Sequence, residues 1–328
     1  MIAPHERPGS LSVTARGVHS GPMTTTQRTG ARTVAGIEMG GTKVVCAVGA
    51  GPQDLRERTV IPTTSPDETL GAVGDWVQGR LDAGEQPAAL GVASFGPVCL
   101  DEGDPAYGRI TTTPKLGWGD TDVVGRLRER FGLPVGWDTD VNGAALAEQR
   151  WGAGQGVGSV VYLTVGTGIG GGAVLDGRPV HGLLHPEMGH VLVERHPDDD
   201  YAGRCPYHGR CAEGMASGPA FADRYGTRLE LLDPGRQAEA AQLAGYYIGQ
   251  VTAALVLMLS PQRIVVGGGV PHLTGALEAT RAAMVGRLGG YISRPEVVGG
   301  AADFVVPPGL GDDAGVLGAI ALGLDVNG

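Results

Sequence analysis

Apolar residues come in short blocks, separated by glycine-rich breaks or by stretches with helical spacing. Val34–Met39 and Val44–Val48 are apolar runs of strand length on either side of Gly40-Gly41-Thr42-Lys43, so the pattern predicts a hairpin. The pattern returns in the second half as Ser159–Val165, the glycine-rich turn Gly166–Gly172 and a continuing strand Ala173–Leu175. Two such hairpins predict two lobes of related architecture. Between them, Asp67–Ala83 carries Leu70, Val73, Trp76, Val77 and Leu81 on one face and predicts a helix. Ala88–Ala93 predicts a strand running into the loop Ser94–Pro97, then Thr121–Phe131 a helix, Pro134–Asp138 a strand and Asn142–Arg150 a helix. Gln237–Ser260 predicts a long helix, Arg263–Val266 a strand before Gly267-Gly268-Gly269, and Ala314–Leu324 a last helix able to pack on either lobe. Helices alternating with strands predict α/β layers.

Composition narrows the class. At ~150 residues per domain, 328 residues suggest two domains. The 58 glycines follow no triplet repeat, which excludes collagen. The longest apolar stretch, Val251–Leu259, is far shorter than the ~20 residues of a membrane helix. Residues 1–20 lack the apolar block of a secretory signal. Four cysteines are too few for a disulfide framework and point to a reducing, cytoplasmic setting. The net charge of −10 argues against binding a phosphate backbone, so neither nucleic acid nor membrane is an expected partner. Residues 1–33 carry Arg7, Arg16, Arg28 and Arg32 against Glu6, a net +3, which leaves −13 for the remainder. Rich in Pro, Ser, Thr and Gly, this head reads as a disordered leader, with Met23 as an alternative start. The expected division is therefore residues 1–33, an α/β lobe over 34–142 and a second over 143–328.

Several constellations carry chemistry. Glycine lets backbone N–H groups approach an anion closely. Gly36–Lys43 ends Thr-Lys and no helix pattern follows it, so it is not a Walker loop. Gly166–Gly171 satisfies G-x-G-x-x-G, but strand follows where a dinucleotide fold needs a helix. Paired with Gly267–Gly269, the two hairpins describe a nucleotide clamped in a cleft. Asp138-Thr139-Asp140-Val141-Asn142 lies where a strand enters a helix, the place for a carboxylate that accepts a proton from an attacking hydroxyl. Asp140 is the candidate base, with helix capping an open alternative for Asp138. Cys205, His208 and Cys211, with His190 or else His185 or His196, have the donor types of a tetrahedral, structural zinc site. Glu187 and Glu213 stand beside it and suit sugar hydroxyls. Cys46 and Cys99 read as core.

Taken in order, Gly36–Lys43, Ser94–Pro97, Asp138–Asn142, Gly166–Gly171, Glu187–His190, Cys205–Gly218 and Gly267–Gly269 resemble the successive motifs of the ROK sugar kinases. The resemblance runs from about Gly36 to the C-terminus. It implies an α/β, two-lobed actin/hexokinase-like (ribonuclease H-like) fold with Mg-ATP and sugar in the interlobe cleft. Gly40, Gly41, Thr42, Lys43, Gly166, Thr167 and Gly168 would hold the phosphates, and Gly267, Gly268 and Gly269 the adenosine. Asp140 would be the general base. Gly96, Pro97, Asn142, Glu187, His190 and Glu213 would contact the sugar, and His190, Cys205, His208 and Cys211 would hold Zn²⁺. Glu38 would approach Mg²⁺ through water.

Glu38 and Thr139 stand where family members commonly have Asp and Asn. The metal loop Cys205–Cys211, the Gly36–Lys43 opening and the segment Ile110–Trp118 are similar to the zinc-containing bacterial fructokinase branch. That implies ATP-dependent conversion of D-fructose to fructose 6-phosphate by a cytoplasmic homodimer. Glucose, mannose or an N-acetylhexosamine is the alternative substrate, and a non-catalytic ROK-type sugar sensor or repressor the alternative class. A repressor needs a helix-turn-helix, for which the leader has no helical period. A nicotinamide oxidoreductase needs a helix after Gly171.

Overall fold

A computed structural model describes residues 32–326; all but the last two residues of the expected leader lie outside the described residues. The first sheet is built from β1 (Val34–Met39), β2 (Lys43–Gly49), β3 (Leu55–Pro62), β4 (Ala89–Ser94) and, beyond α1 (Pro66–Asp82) and a small hairpin of β5 (Arg109–Ile110) with β6 (Thr121–Asp122), by β7 (Val135–Thr139). Helix α2 (Val124–Phe131) precedes β7, and α3 (Asp140–Trp151) follows it directly. The second sheet takes β8 (Ser159–Val165), β9 (Ile169–Leu175), β10 (Arg178–Pro179), β11 (Arg263–Gly267) and β12 (Val305–Val306). Helices α4 (Ala212–Ala216), α5 (Gly218–Tyr225), α6 (Pro234–Leu259), α7 (Ala276–Leu288), α8 (Pro295–Val298) and α9 (Ala314–Asp325) complete the chain. The sheet orders are β3-β2-β1-β4-β7 and β10-β9-β8-β11-β12, each with two antiparallel hairpin pairings and then two parallel ones. The duplicated sheet, with helices on both faces, is the two-lobed fold expected.

Alternation along each strand decides what lies on which face. In β8, Val161, Leu163 and Val165 join the core made with α6 and α7, while Val160 and Tyr162 turn the other way toward α3 and α9. In the first sheet, Ile37 and Met39 of β1 and Val44, Cys46 and Val48 of β2 pack with Leu70, Val73 and Val77 of α1. Val45 and Ala47 face Val316 of α9. The last helix of the chain thus covers the inner face of the first sheet.

Close approach there rests on glycine. Gly36, Gly91 and Gly136 are register partners across β1, β4 and β7. A Cβ at Gly91 would lie 1.8 Å from the Ala319 carbonyl oxygen, and one at Gly136 2.3 Å from that of Leu322. The stripe lets α9 lie directly on the strand backbones.

The structure departs from the sequence reading at several places. Strand β3 escapes the apolar pattern because it is a charged sheet edge carrying Arg56, Glu57 and Arg58. Helix α2 starts at Val124, not Thr121, because Thr121 and Asp122 pair with Ile110 and Arg109. The second glycine turn ends at Gly168, since Gly170–Gly172 already belong to β9. The expected lobe boundary after residue 142 falls inside α3, which packs against both sheets. Helix α6 is long and apolar enough to cross a membrane by length and composition, yet 56% of its most apolar window is buried in the protein.

Gly91→Ala is expected to lower stability by about 1–3 kcal/mol or more, because backbone on both sides must move. Gly71→Ala in α1, where an added Cβ meets nothing within 4 Å, should raise it by ~0.5–1 kcal/mol. Denaturant midpoints of the two variants check the contrast, and equal midpoints would refute the close-approach account.

Candidate active site

The β1–β2 turn is tied down from three sides. Gly40 N–H donates to the Lys43 carbonyl at 2.9 Å, and the Thr63 hydroxyl donates to the Gly40 carbonyl at 2.8 Å. Lys115 Nζ donates to the Gly41 carbonyl at 2.6 Å. The β8–β9 turn mirrors it in the other lobe. Gly166 N–H donates to the Gly168 carbonyl at 2.9 Å, and Gly218 N–H, opening α5, to the Gly166 carbonyl at 2.7 Å. Ile169 N–H donates to Glu213 Oε2 at 3.0 Å. At the end of β11, Gly268 has φ +92° and its Cα faces the Val165 carbonyl, where a Cβ would come within 2.4 Å. Only glycine fits both demands.

Helix α3 presents its first residue to the space between these turns. The Thr139 hydroxyl caps it by accepting from Asn142 N–H at 3.1 Å, and Asp140 Oδ1 accepts from Val141 N–H at 2.9 Å. Asp140 Oδ2 carries no such bond among the described residues. Burial pushes the Asp140 carboxyl up to about 6, against the pull of the Val141 N–H and its own N–H. The cap is therefore Thr139; Asp138 lies buried at the end of β7 and has another task. Its Oδ1 accepts from Thr139 N–H and from the Asn142 amide at 2.8 Å, while its Oδ2 meets His181 Nε2 at 2.8 Å.

A cleft of about 870 Å³ joins these parts. It brings together Gly41, Gly96, Pro97, Asp140, Gly166, Thr167, Gly168, Glu187, His190 and Glu213 from the expected set. Gly40, Thr42, Lys43 and Gly267–Gly269 do not line it. Asn142 is placed elsewhere: it is 1% exposed, and two residues into the helix its side chain turns inward onto Asp138. Glu38 also sits behind the cleft wall, against the start of α9 at Gly315. Burial, then the nearby Asp140 carboxylate, raise Glu38 to about 7. Desolvation in the cleft, then Asp140 and Glu213, likewise raise Glu187 to about 7.

His190, Cys205, His208 and Cys211 present donor atoms all within 4.8 Å of one another. Cys205 Sγ lies 3.8 Å from His190 Nδ1 and 3.6 Å from His208 Nδ1, and Cys211 Sγ lies 3.5 Å from His190 Nδ1. Metal bonds of ~2.3 Å to sulfur and ~2.0 Å to nitrogen at the tetrahedral angle set such donors ~3.5 Å apart, so the donors fit zinc. His185 is outside this set. Its Nε2 accepts from Val98 N–H at 3.0 Å, which joins the Glu187 loop to the Gly96–Pro97 loop. His196 packs on Tyr246.

Sequence reasoning singled out neither Lys115, His181, His185 as a loop bridge, nor Arg204, which also lines the cleft. The available signal for Lys115 was scarcity: the chain has two lysines, Lys43 and Lys115.

A model of the ROK family matches residues 34–326. The fructokinase of Zymomonas mobilis subsp. mobilis is 46% identical over 293 residues, covering 88% of this chain and 95% of the relative. The crystal structure of a ROK hexokinase from Thermus thermophilus superposes with a TM-score of 0.70 at 30% identity, covering 89% of this chain and 98% of that one. A ROK family glucokinase from Streptomyces griseus, solved in complex with glucose and AMPPNP, gives a TM-score of 0.71 at 26% identity, covering 89% and 99%. The match spans both lobes and every motif that builds the cleft, and the chain belongs to the ROK family.

Proposed function

We propose that this chain is a hexose kinase that transfers the γ-phosphoryl group of ATP to the 6-hydroxyl of D-fructose. The observation that carries the reading is the position of Asp140, a carboxylate at the start of α3 in one cleft with a glycine turn from each lobe. The likeness to the Zymomonas mobilis fructokinase supports fructose as the acceptor.

The chain's residues divide the work. Gly40 and Gly166 N–H are held within the turns, and the N–H groups of Gly41, Thr167 and Gly168 would face the triphosphate. Glu187 and Glu213, with the Gly96–Pro97 loop, orient the sugar. Asp140 Oδ2 accepts the 6-hydroxyl proton as the oxygen attacks phosphorus, while Oδ1 stays anchored to Val141 N–H. Glu38 would hold the nucleotide's Mg²⁺ through water, and that ion supplies neutralisation of phosphate charge. His190, Cys205, His208 and Cys211 would hold zinc, which supplies rigidity to the loop carrying His190 and leading to Glu213. The free thiols and the use of ATP as donor support a cytoplasmic setting.

Asp140→Asn is expected to keep ATP and fructose binding and to lose roughly 10²-fold or more in kcat, measured by coupled ADP release. Near-normal turnover would refute the assignment. Because the base must be ionised and its pKa is raised to about 6, activity should fall as pH drops through that value and level off above it. A pH–rate profile flat down to pH ~5 would contradict it. Metal analysis should find one zinc per chain, and stripping it should loosen the loop and abolish activity; unchanged activity in metal-free protein would sink the structural zinc role.

A further inference from the structure

Of 25 lysine and arginine residues only Lys43 and Lys115 are lysine, and both stand at the first glycine turn. Lys43 opens β2. Lys115 arrives from the Ile110–Trp118 segment, and its Nζ donates to the Gly41 carbonyl at 2.6 Å and toward that of Thr63 at 3.5 Å. The segment is firmly seated. Trp118 is fully buried, its indole N–H donates to the Thr64 carbonyl at 2.8 Å, and Phe95 packs edge-on against it at 5.2 Å.

Lys115 makes no ion pair among the described residues, although it shares the cleft with Asp140, Glu187 and Glu213. Arg204 also lines the cleft, but Asp223 holds it at 2.9 Å. Two neutral carbonyls fix the position of the Lys115 ammonium without cancelling its charge, and its third N–H is left for a ligand. An ammonium is a compact point charge suited to phosphate oxygens. Its anchor is the backbone of the glycine turn that the kinase reading assigns to the triphosphate. Sugar hydroxyls carry no charge to attract it.

We propose that Lys115 contacts the γ-phosphoryl group of ATP and stabilises it during transfer, a role that rests on the kinase reading above. In that step the sugar O6–phosphorus bond forms, the bond from phosphorus to the β,γ-bridging oxygen breaks, the hydroxyl proton passes to Asp140, and ADP leaves with the bond's electrons. Lys115 neither gives nor takes a proton in this step.

The test compares wild type, K115M, K115Q and K115R as full chains. Glutamine retains a donor for the Gly41 carbonyl but no charge, so a mere staple of the segment would survive in K115Q. K115M and K115Q are expected to lose about 10²-fold in kcat with fructose KM little changed, and K115R to recover part of it. By calorimetry both neutral variants should bind AMPPNP more weakly while ADP affinity holds, because ADP lacks the γ-phosphoryl group. If wild type releases no ADP with any hexose, the kinase reading itself fails. If wild type turns over and K115Q keeps its kcat, the Lys115 assignment fails. Equal losses for AMPPNP and ADP, or a raised fructose KM at unchanged kcat, also overturn it. Should K115M not fold, K115Q and K115R carry the same comparison.

Discussion

The crossing of α3 and α9 is the contact that holds the two lobes in a defined relation. A Cβ on Gly318 would fall 2.3 Å from the carbonyl carbon of Gly143, so the helices meet backbone to backbone. Helix α9 is bedded on the glycine stripe of the first sheet, and α3 presses on the second, where a Cβ at Gly172 would lie 2.4 Å from the Val141 carbonyl oxygen. Such contacts leave no side chain to act as a soft spacer, and packed backbone transmits displacement rather than absorbing it. Asp140 begins α3, so its carboxylate is positioned by both sheets at once. The base role proposed for Asp140 demands placement to a fraction of an ångström, and packing of α3 against both sheets suits that demand.

The cleft is electrostatically unfinished. Asp140, Glu38 and Glu187 are all raised, first by burial or desolvation and then, for the two glutamates, by neighbouring carboxylates. Elsewhere the chain satisfies buried charge with arginine. Arg224 meets Asp199 at 2.8 Å with both side chains under a tenth exposed, and Tyr201 stacks over its guanidinium at 4.2 Å. Arginine's fork suits such fixed partners. Among the described residues, the cleft instead presents a lysine with no carboxylate partner and acids with no arginine partner. A ligand that carries phosphates with its own cation and offers hydroxyl donors completes both halves.

Much of this was legible because it follows from local pattern. The hairpins, α1 and α6 announce themselves by period, and the candidate metal donors by the rarity of cysteine. Other features are invisible at that level. The glycine stripe of Gly36, Gly91 and Gly136 is assembled by sheet register across distant positions, and each glycine alone reads as a weak spot in a strand. β3 carries too little apolar surface to show as a strand, and α7 packs on α6 partly through alanines that count little in an apolar pattern. Asn142 is a sugar-ligand candidate by its motif, whereas its bond to Asp138 follows from the capping of α3 by Thr139, which fixes the first turn's phase.

The metal loop is wired into the second glycine turn by consecutive local bonds. Cys211 is both a zinc donor candidate and the N-cap of α4, its Sγ accepting from Gly214 N–H at 3.4 Å. Two residues on, Glu213 accepts from Ile169 N–H, and Gly218 then holds the Gly166 carbonyl at 2.7 Å. Anything that moves Cys211 rotates the short α4 and carries Glu213 with it, which alters the sugar pocket and the phosphate turn together. A loop held only by a few turn hydrogen bonds would pass on little of that constraint, because such bonds exchange readily with water. Four metal–ligand bonds would make the loop rigid enough to act as part of the turn. A metal held by these four donors would thereby fix the spacing between Glu213 and the Gly166–Gly168 turn.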